Sequence, residues 1–250
     1  MTQILLTNDD GIEAPGLEAL ERMASKLGKV YVVAPAKEQS GAGRSITINH
    51  PLRYHEAGTN RYAVDGTPTD TMIMALTLLL DIRPDLVISG INNGSNLGEN
   101  IYYSGTVAAA AEAAKHGIAS IAVSVAAKKN INFTPAAKFT MHLGHLVLEN
   151  GLPPGLSLNV NIPHPCYKNV CITRQSPHIA RSLIGEDGEL NGSKYYWVHE
   201  GSFRESPDHD TDYEAVQNGN ISITPLHFRH TAHEIMGVLN EWCESLREVE

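Results

Sequence analysis

Residues 4–16 have the sequence ILLTNDDGIEAPG, in which a short apolar run stops at two adjacent carboxylates, Asp9 and Asp10. The run predicts a buried strand, and the amphipathic segment after Pro15 predicts a helix. Asp9 and Asp10 then lie at the carboxyl end of a strand, where open α/β sheets bind ligands. Because two buried carboxylates repel each other, a divalent cation is the simplest way to hold both. The alternative is a solvated turn, since Asn, Asp and Gly dominate turns.

The rest of the first half repeats this alternation of strand and helix. Residues 30–34 are apolar and β-rich, so that residues 4–34 form a βαβ unit. The pattern predicts an α/β fold with a doubly wound, mainly parallel sheet. Further core strands are predicted at 86–91, 121–125 and 157–162, and helices at 67–80, from 104 and at 135–149. Alternating residues predict short strands outside this core at 45–48, 52–56 and 61–64.

Beyond residue 163 the pattern loosens into short β-prone pieces around a predicted turn at 186–188. The last segment contains a strand at 221–225 and a helix with one apolar stripe. The stripe consists of Ile235, Leu239, Trp242 and Leu246. The expected organisation is a core at 1–163, an arm at 164–210, and a final strand and helix at 211–250.

Composition limits the partners of this chain. With 42% hydrophobic and 19% charged residues in 250, it is an ordinary globular sequence. The formal charge of -9 argues against polymeric nucleic acid as a partner, because proteins that bind it carry clustered Lys and Arg. No stretch approaches the ~18 apolar residues of a membrane span, and no leader pattern opens the sequence, so we expect no membrane partner. The three cysteines form no even disulfide set, which favours the cytoplasm.

Polar loops follow three of the predicted strands. The loop at 35–44 leaves its strand at the same sheet edge as the acidic pair if the crossover is right-handed, so Ser40 could reach the site. The loop at 92–100 holds four asparagines, which favours at least one ligand over a set of ordinary turn residues. The helix that starts after Ser104 offers free amides for a phosphate, with hydroxyls from Ser104 and Thr106. Helix capping is the alternative role for Ser104.

Two other polar groups have ordinary structural explanations. Asp70 follows Thr67-Pro68, so stabilisation of a helix start is favoured over acid catalysis. Four histidines near the end of the chain match no zinc-binding spacing, and scattered polar histidines are favoured over a zinc site. They are His209, His227, His230 and His233.

Carboxylates, a hydroxyl and amides form an all-oxygen donor set, which suits Mg²⁺, Mn²⁺ or Ca²⁺ better than metals that prefer thiolates. Beside a helix start that can bind phosphate, such a cation would polarise a phosphoryl oxygen and orient water for attack. The residues by themselves therefore indicate a phosphatase site.

The sequence also resembles the SurE family of stationary-phase survival proteins, which are metal-dependent 5'-nucleotidases. The matching motifs occur in family order. They are TNDDGI at 7–12, VAP at 33–35 with Ser40-Gly41, GTPTD at 66–70, SGINNGSNLG at 89–98 and YSGTVA at 103–108. The likeness is dense over residues 1–125 and returns at Thr211-Asp212 and 221–233. It differs from the family pattern at Ser95, where proline is expected, and at Thr71, where many relatives have cysteine.

The resemblance implies a specific set of site residues and partners. By it, Asp9, Asp10, Ser40 and Asn92 are the metal ligands, with Asp9 and Asp10 also catalytic. The implied phosphate-binding residues are Asn96, Ser104, Gly105 and Thr106. It further implies one divalent metal ion per subunit, nucleoside 5'-monophosphates as substrates, a Rossmann-like core, an extended arm, and a swapped carboxyl-terminal segment in a homodimer or homotetramer.

Two other classes of function remain as alternatives. A non-catalytic nucleotide or metal sensor could use the same ligands, because binding and turnover need the same groups. A nicotinamide-binding oxidoreductase would share the sheet, but its Gly-x-Gly-x-x-Gly belongs directly after the first strand, where this chain has two acids. The later Gly41-Ala42-Gly43 has Ile46 in place of the third glycine.

Overall fold

The computed structural model describes residues 1–127, 129–177, 182–190, 193–200 and 209–246. Its strands are β1 (Gln3–Thr7), β2 (Lys29–Pro35), β3 (Tyr54–Gly58), β4 (Arg61–Val64), β5 (Leu86–Asn93), β6 (Ala119–Ala126), β7 (Leu156–Pro163), β8 (Val170–Ile172), β9 (Ser182–Leu190), β10 (Ser193–Glu200) and β11 (Ile221–His227). Its α-helices are α1 (Pro15–Ala24), α2 (Pro68–Met74), α3 (Gly105–Lys115), α4 (Thr134–Asn150), α5 (Asp212–Gln217) and α6 (Met236–Leu246). A π-helical turn, Ala75–Leu79, extends α2, and a 3-10 helix, Gly98–Tyr102, precedes α3.

Most of the strands form one sheet in the order β3-β4-β2-β1-β5-β6-β7-β11-β8. The run from β4 to β7 is parallel, whereas β3 and β11 pair antiparallel with β4 and β7. After β1 the chain first builds outwards through β2 and then returns to place β5 on the other side of β1. The predicted α/β, doubly wound, mainly parallel fold is therefore confirmed, and its switch point lies between β1 and β5.

Helices cover both faces of this sheet because the strands are apolar on both sides. On one face, Leu17 of α1 and Met141 of α4 pack against Ile4 and Ile88. On the other face, Met72 of α2 and Ala109 of α3 pack against Leu5. This sandwich fixes the strand ends, and the loops that leave those ends hold the polar residues discussed below.

The predicted strand at 45–48 is wrong, because α2 rather than a neighbouring strand binds this segment. The Thr47 amide donates to Asp70 Oδ1 (2.8 Å), and the Thr67 hydroxyl donates to the Ser45 carbonyl (2.7 Å). The predicted role of Asp70 at the helix start is confirmed. It forms a capping box with Thr67, the residue that precedes α2.

The predicted turn at 186–188 is also wrong, since these residues lie inside β9. In the hairpin of β9 and β10, Gly188 pairs with Tyr195 and Glu186 pairs with Tyr196, so Asp187 is an extra residue in a bulge. Residues 191 and 192, which separate β9 from β10 in the sequence, lie outside the described part of the chain. The Asp-Gly pair, typical of hairpin turns, here marks a bulge instead.

The large sheet draws on all three expected segments of the chain. β8 lies in segment 164–210 and β11 in segment 211–250, yet both extend the sheet formed by residues 1–163. The β9–β10 hairpin forms a separate two-stranded sheet. Among the described residues, no helix is both long and apolar enough to cross a lipid bilayer.

Candidate functional site

The acidic pair follows β1 at the switch point, in a turn that is closed by its neighbours. The Asn8 amide donates to the Gly11 carbonyl (2.8 Å) and its oxygen accepts from the Gly11 amide (3.2 Å). Gly11 has a φ of +101°, a conformation that favours glycine. Asn8 and Gly11 thus behave as the turn alternative requires. Asp9 does not, because it is only 5% exposed, and a solvated turn cannot account for a buried carboxylate.

The start of helix α3 lies directly against Asp9. The Thr106 hydroxyl donates to Asp9 Oδ1, and the backbone amides of Gly105 and Thr106 also interact with this carboxylate. A methyl group on Gly105 would lie 2.7 Å from Asp9 Cβ and 2.9 Å from its Oδ2, so only glycine permits this approach. Ser104 caps the helix by accepting from the Val107 amide (3.1 Å). The structure therefore brings Asp9 together with Gly105 and Thr106, two of the predicted phosphate-binding residues.

Electrostatics at the pair are unfavourable for two bare charges. Burial raises the pKa of Asp9, and hydrogen bonds from Thr106 and Gly105 only partly offset that rise. Burial also raises the pKa of Asp10 to about 6, and the negative charges of Asp9 and Glu38 add to the rise. A cation would relieve both the burial cost and the repulsion.

The loop after β2 reaches the pair through the residues that directly precede Ser40. The Gln39 amide donates to the Asp9 carbonyl (2.8 Å), which fixes the loop beside β1. The Ser40 hydroxyl donates to Glu38 Oε1 (2.7 Å), which leaves the hydroxyl oxygen as an acceptor. Glu38 is a residue that the sequence reasoning missed. Its position in the same loop, two residues before Ser40, is the only pattern that could have indicated it.

The asparagine-rich loop contacts the pair at its first residues. The Asn93 amide donates to Asp10 Oδ2 (3.3 Å). The Asn92 side-chain amide donates to the Gly94 carbonyl (2.9 Å), so its Oδ1 is oriented by a bond made through its nitrogen. Asp10, after β1, thus carries a carboxylate and Asn92, near the end of β5, carries an amide oxygen. These are the two strands that flank the switch point.

Side chains of β6 and β7 hold Asn96 in place. Its side-chain amide donates to Ser124 Oγ (2.8 Å), and its backbone amide donates to Asn161 Oδ1 (2.8 Å). Its carbonyl accepts from Asn159 and Asn161 (2.9 and 3.0 Å). Sequence reasoning missed these three supports. Two of them, Asn159 and Asn161, occupy alternate positions of an apolar strand, in the sequence LNVNI, and this pattern could have revealed them.

The donor set at this edge of the sheet fits a hard divalent cation. Asp9 and Asp10 carry carboxylate oxygens, and oxygen acceptors also belong to Ser40, in the loop after β2, and to Asn92, near the end of β5. Within the described residues there is no group of three or more His, Cys, Asp and Glu side chains that could hold a metal. A cation here would therefore depend on hydroxyl and amide oxygens as well as on the two carboxylates.

Comparison with known proteins shows the family to which this chain belongs. The family described as Survival protein SurE matches residues 4–182. A protein of Geotalea daltonii named 5'-nucleotidase SurE is 43% identical over 244 residues, which cover 96% of this chain and 98% of that protein. The chain belongs to the SurE family.

Other SurE proteins extend the similarity. A 5'-nucleotidase SurE of Myxococcus xanthus is 43% identical over 243 residues, covering 96% of this chain and 93% of the relative. The crystal structure of the SurE protein from Aquifex aeolicus superposes with a TM-score of 0.85 at 40% identity, covering 96% of this chain and 99% of that one. The resemblance inferred from the motifs is thereby confirmed.

The two departures from the SurE motifs have local explanations. Thr71 is fully buried in α2, and its hydroxyl donates to the Thr67 carbonyl (2.9 Å). It fills the space without leaving an unpaired polar atom. Ser95 lies between Gly94 and Asn96, and the bonds that Asn96 makes to β6 and β7 hold the loop there without a proline.

Proposed function

We propose that this chain is a 5'-nucleotidase that hydrolyses nucleoside 5'-monophosphates to nucleoside and phosphate with one divalent metal ion per subunit. The observation that carries the proposal is the contact between the α3 start and buried Asp9, which lies beside half-buried Asp10 at the switch point of a SurE-family fold. A helix start attracts phosphate, whereas two carboxylates attract a cation. Substrate phosphate and metal ion would thus meet at one edge of the sheet.

We assign the roles as follows. Asp9, Asp10, Ser40 and Asn92 hold the cation, which is Mg²⁺, Mn²⁺ or Ca²⁺. When bound, that ion supplies the positive charge that stabilises charge developing on the phosphoryl oxygens. Asn96, Ser104, Gly105 and Thr106 bind and orient the phosphate.

Hydrolysis transfers the oxygen of water to phosphorus and a proton to the departing 5'-oxygen of the nucleoside. Asp9 and Asp10 are the candidate groups to orient that water. Both are carboxylates, and both lie at the edge of the sheet where the α3 start would hold the phosphate.

A chelation experiment tests the metal requirement. The protein is stripped with a chelator and assayed on nucleoside monophosphates and an aryl phosphate, with Mg²⁺, Mn²⁺, Ca²⁺ and Zn²⁺ added singly. We expect no turnover after stripping and recovery with at least one oxygen-preferring ion. Full activity without metal would contradict the metal role, and binding of nucleotide without turnover under every condition would favour the sensor.

Variants in the same assay test the acidic pair. Asp9→Asn and Asp10→Asn should each lower turnover at least ~10²-fold while the fold is retained, because each replaces a carboxylate ligand of the cation with a neutral amide. Asp65→Asn is the matched control. Its carboxylate makes only a surface ion pair with Arg53, so turnover should be unchanged.

We further propose that the core 1–163 supplies most of the site, while the arm 164–210 and the segment 211–250 make contacts between subunits of a homodimer or homotetramer. Exposed apolar side chains on both outer parts support this. On the β9–β10 hairpin, Trp197 is 60% exposed, and on α6, Trp242 is 58% exposed. A cytoplasmic location fits the free thiols of Cys166, Cys171 and Cys243.

A further inference from the structure

Residues 92–106 form one continuous segment that contains Asn92, Asn96 and the start of α3. Each end of the segment is tied to the acidic pair. The Asn93 amide binds Asp10 Oδ2 (3.3 Å), and the Thr106 hydroxyl binds Asp9 Oδ1. The position of the phosphate-binding residues between these two anchors depends on what holds the middle of the segment.

The middle of the segment is held by residues that come from far along the chain. The Gly98 amide donates to Asp212 Oδ2 (2.9 Å), and the Gly98 carbonyl accepts from Gln175 Nε2 (3.0 Å). Gly98 has a φ of +53° and begins the 3-10 helix that leads to Ser104. Asp212 and Gln175 therefore fix the point from which the chain turns towards the α3 start.

Asp212 also joins two stretches of the chain at the base of the arm, residues 174–176 and residues 210–212. Asp212 Oδ1 accepts from the Ser176 amide (2.9 Å), and the Asp212 amide donates to the Arg174 carbonyl (3.0 Å). The Arg174 amide in turn donates to the Asp210 carbonyl (2.9 Å). Residues 174–176 are thus bonded to residues 210–212, and the part of the arm from 177 to 209 lies between these two stretches in the sequence. The Asp212 side chain thus contacts Ser176, where the chain departs, and Gly98 in the middle of the site segment, while Asp212 itself lies where the chain returns.

Capping of helix α5 does not account for this carboxylate. Thr211 already caps that helix by accepting from the Glu214 amide (3.2 Å). Asp212 is fully buried, and burial raises its pKa although three backbone amides partly offset the rise. Burying a carboxylate costs free energy, so its two bonds to distant amides are the feature that needs explanation.

We propose that Asp212 is a positioning residue, which couples the base of the arm to the phosphate-binding segment through Gly98. The inference rests on the proposed function, since it assigns Asp212 to the phosphate side of that site. By this reasoning Asp212 touches no substrate, and its loss should weaken phosphate binding more than it slows the chemical step. Gln175 acts on the same glycine and should have the same effect in weaker form.

The test compares three variants of the full chain. Asp212→Asn places an NH₂ group opposite an amide donor, and Gln175→Ala removes the second contact to Gly98. Thr211→Ala is the matched control, because it removes the cap of the same helix and leaves both contacts to Gly98 in place. We expect Asp212→Asn to raise the KM for a nucleoside monophosphate and the inhibition constant of inorganic phosphate about tenfold or more, as for loss of a hydrogen bond to a charged group. Its kcat should change much less.

Amide hydrogen exchange gives a readout that does not depend on turnover. Peptides that span residues 94–103 should lose protection in Asp212→Asn and Gln175→Ala but keep it in Thr211→Ala. An unchanged KM and unchanged protection in both Asp212→Asn and Gln175→Ala would overturn the proposal. The same would follow if Thr211→Ala had equal effects, because a general loss of stability would then explain them. If no variant and no wild-type protein hydrolysed phosphate esters, the proposed function would fail, while the exchange data would still decide the coupling.

Discussion

At the scale of single residues, Asp10 links the site to the stability of the protein. Its pKa in the folded state is about 6, above the ordinary 3.8, because of burial and the neighbouring charges of Asp9 and Glu38. Between these two values the folded metal-free protein binds more protons than the unfolded chain. The contribution of Asp10 to the free energy of unfolding therefore falls as the pH rises from about 4 to about 6, and the loss is complete above that.

Thermal unfolding of chelator-treated protein at about pH 5 and about pH 7.5 measures this effect. Asp10→Asn has no titrating group at this position, so the melting temperature of the wild type relative to that of the variant should fall as the pH rises. The titration of residues that do not interact with Asp10 cancels in the difference. Addition of divalent cation at the higher pH should restore the wild type more than the variant. A relative melting temperature independent of pH would show that Asp10 titrates as an ordinary carboxylate.

Site residues could be predicted from the sequence where a polar group interrupts an apolar pattern. Residues that join the site only through partners far away in the sequence could not. Asp9 and Asp10 could be found because two adjacent acids end an apolar strand. Glu38, Asn161 and Asp212 could not be placed. Their partners, Ser40 excepted, lie in other loops and strands, and no local rule predicts which polar residue of a segment will face a site formed by others.

At the scale of secondary-structure elements, the position of helix α3 depends on Gly105. A methyl group there would lie 2.7 Å from Asp9 Cβ and 2.8 Å from Pro68 Cγ, so the helix start would have to move away from β1. We expect Gly105→Ala to lower turnover at least ~10²-fold, because displacement of the amides by an ångström removes aligned stabilisation of the phosphate. The free energy of unfolding should fall by about 1–3 kcal/mol from overpacking.

Gly144→Ala is the matched control for this variant. Gly144 lies in α4 on the opposite face of the sheet, and an added methyl group would meet Leu27 and Leu86 side chains at 3.2 Å. Its effect should be confined to stability, with turnover unchanged in the folded fraction. Steady-state kinetics and denaturant titration of both variants separate the two effects. Equal losses of turnover in both would mean that the contact between α3 and Asp9 has no special role.

Elements with strong internal periodicity were predictable, whereas those set by tertiary contacts were not. The βαβ alternation gave the parallel sheet because each strand and helix carries its own apolar pattern. Residues 45–48 alternate as a strand does, yet Asp70 and Thr67 take up their backbone groups and hold them as a loop. The Asp-Gly pair at 187–188 favours a turn locally, but the pairing of β9 with β10 places it in a bulge.

At the scale of the whole molecule, the sheet joins parts of the chain that its sequence separates. β11 follows the arm but pairs with β7, and β8 pairs with β11. The contacts of Asp212 lie where this return is made, beside the segment 92–106 to which we assign phosphate binding. The end of the chain is thus built into the core as far as β11, whereas α6 lies beyond it in the sequence and carries exposed apolar side chains.

The exposed face of α6 leads to the prediction about assembly. The apolar stripe includes Ile235, directly before α6, and Leu239 and Trp242 within α6, which are 45%, 40% and 58% exposed. An apolar helix face of this kind is stable in water only when covered, and exchange of a terminal element between identical subunits is a low-cost way to cover it. We expect light scattering to show a dimer or tetramer for the intact chain, and loss of that assembly with aggregation for a chain that ends before Thr231.

A point variant avoids the large truncation. Trp242→Ser should shift the full-length chain towards monomer, whereas Glu241→Ser on the same exposed helix should not. A monomeric intact protein would rule out the assembly, and an unchanged oligomer after truncation would place the contact elsewhere, with the exposed aromatic face of the β9–β10 hairpin as the next surface to alter.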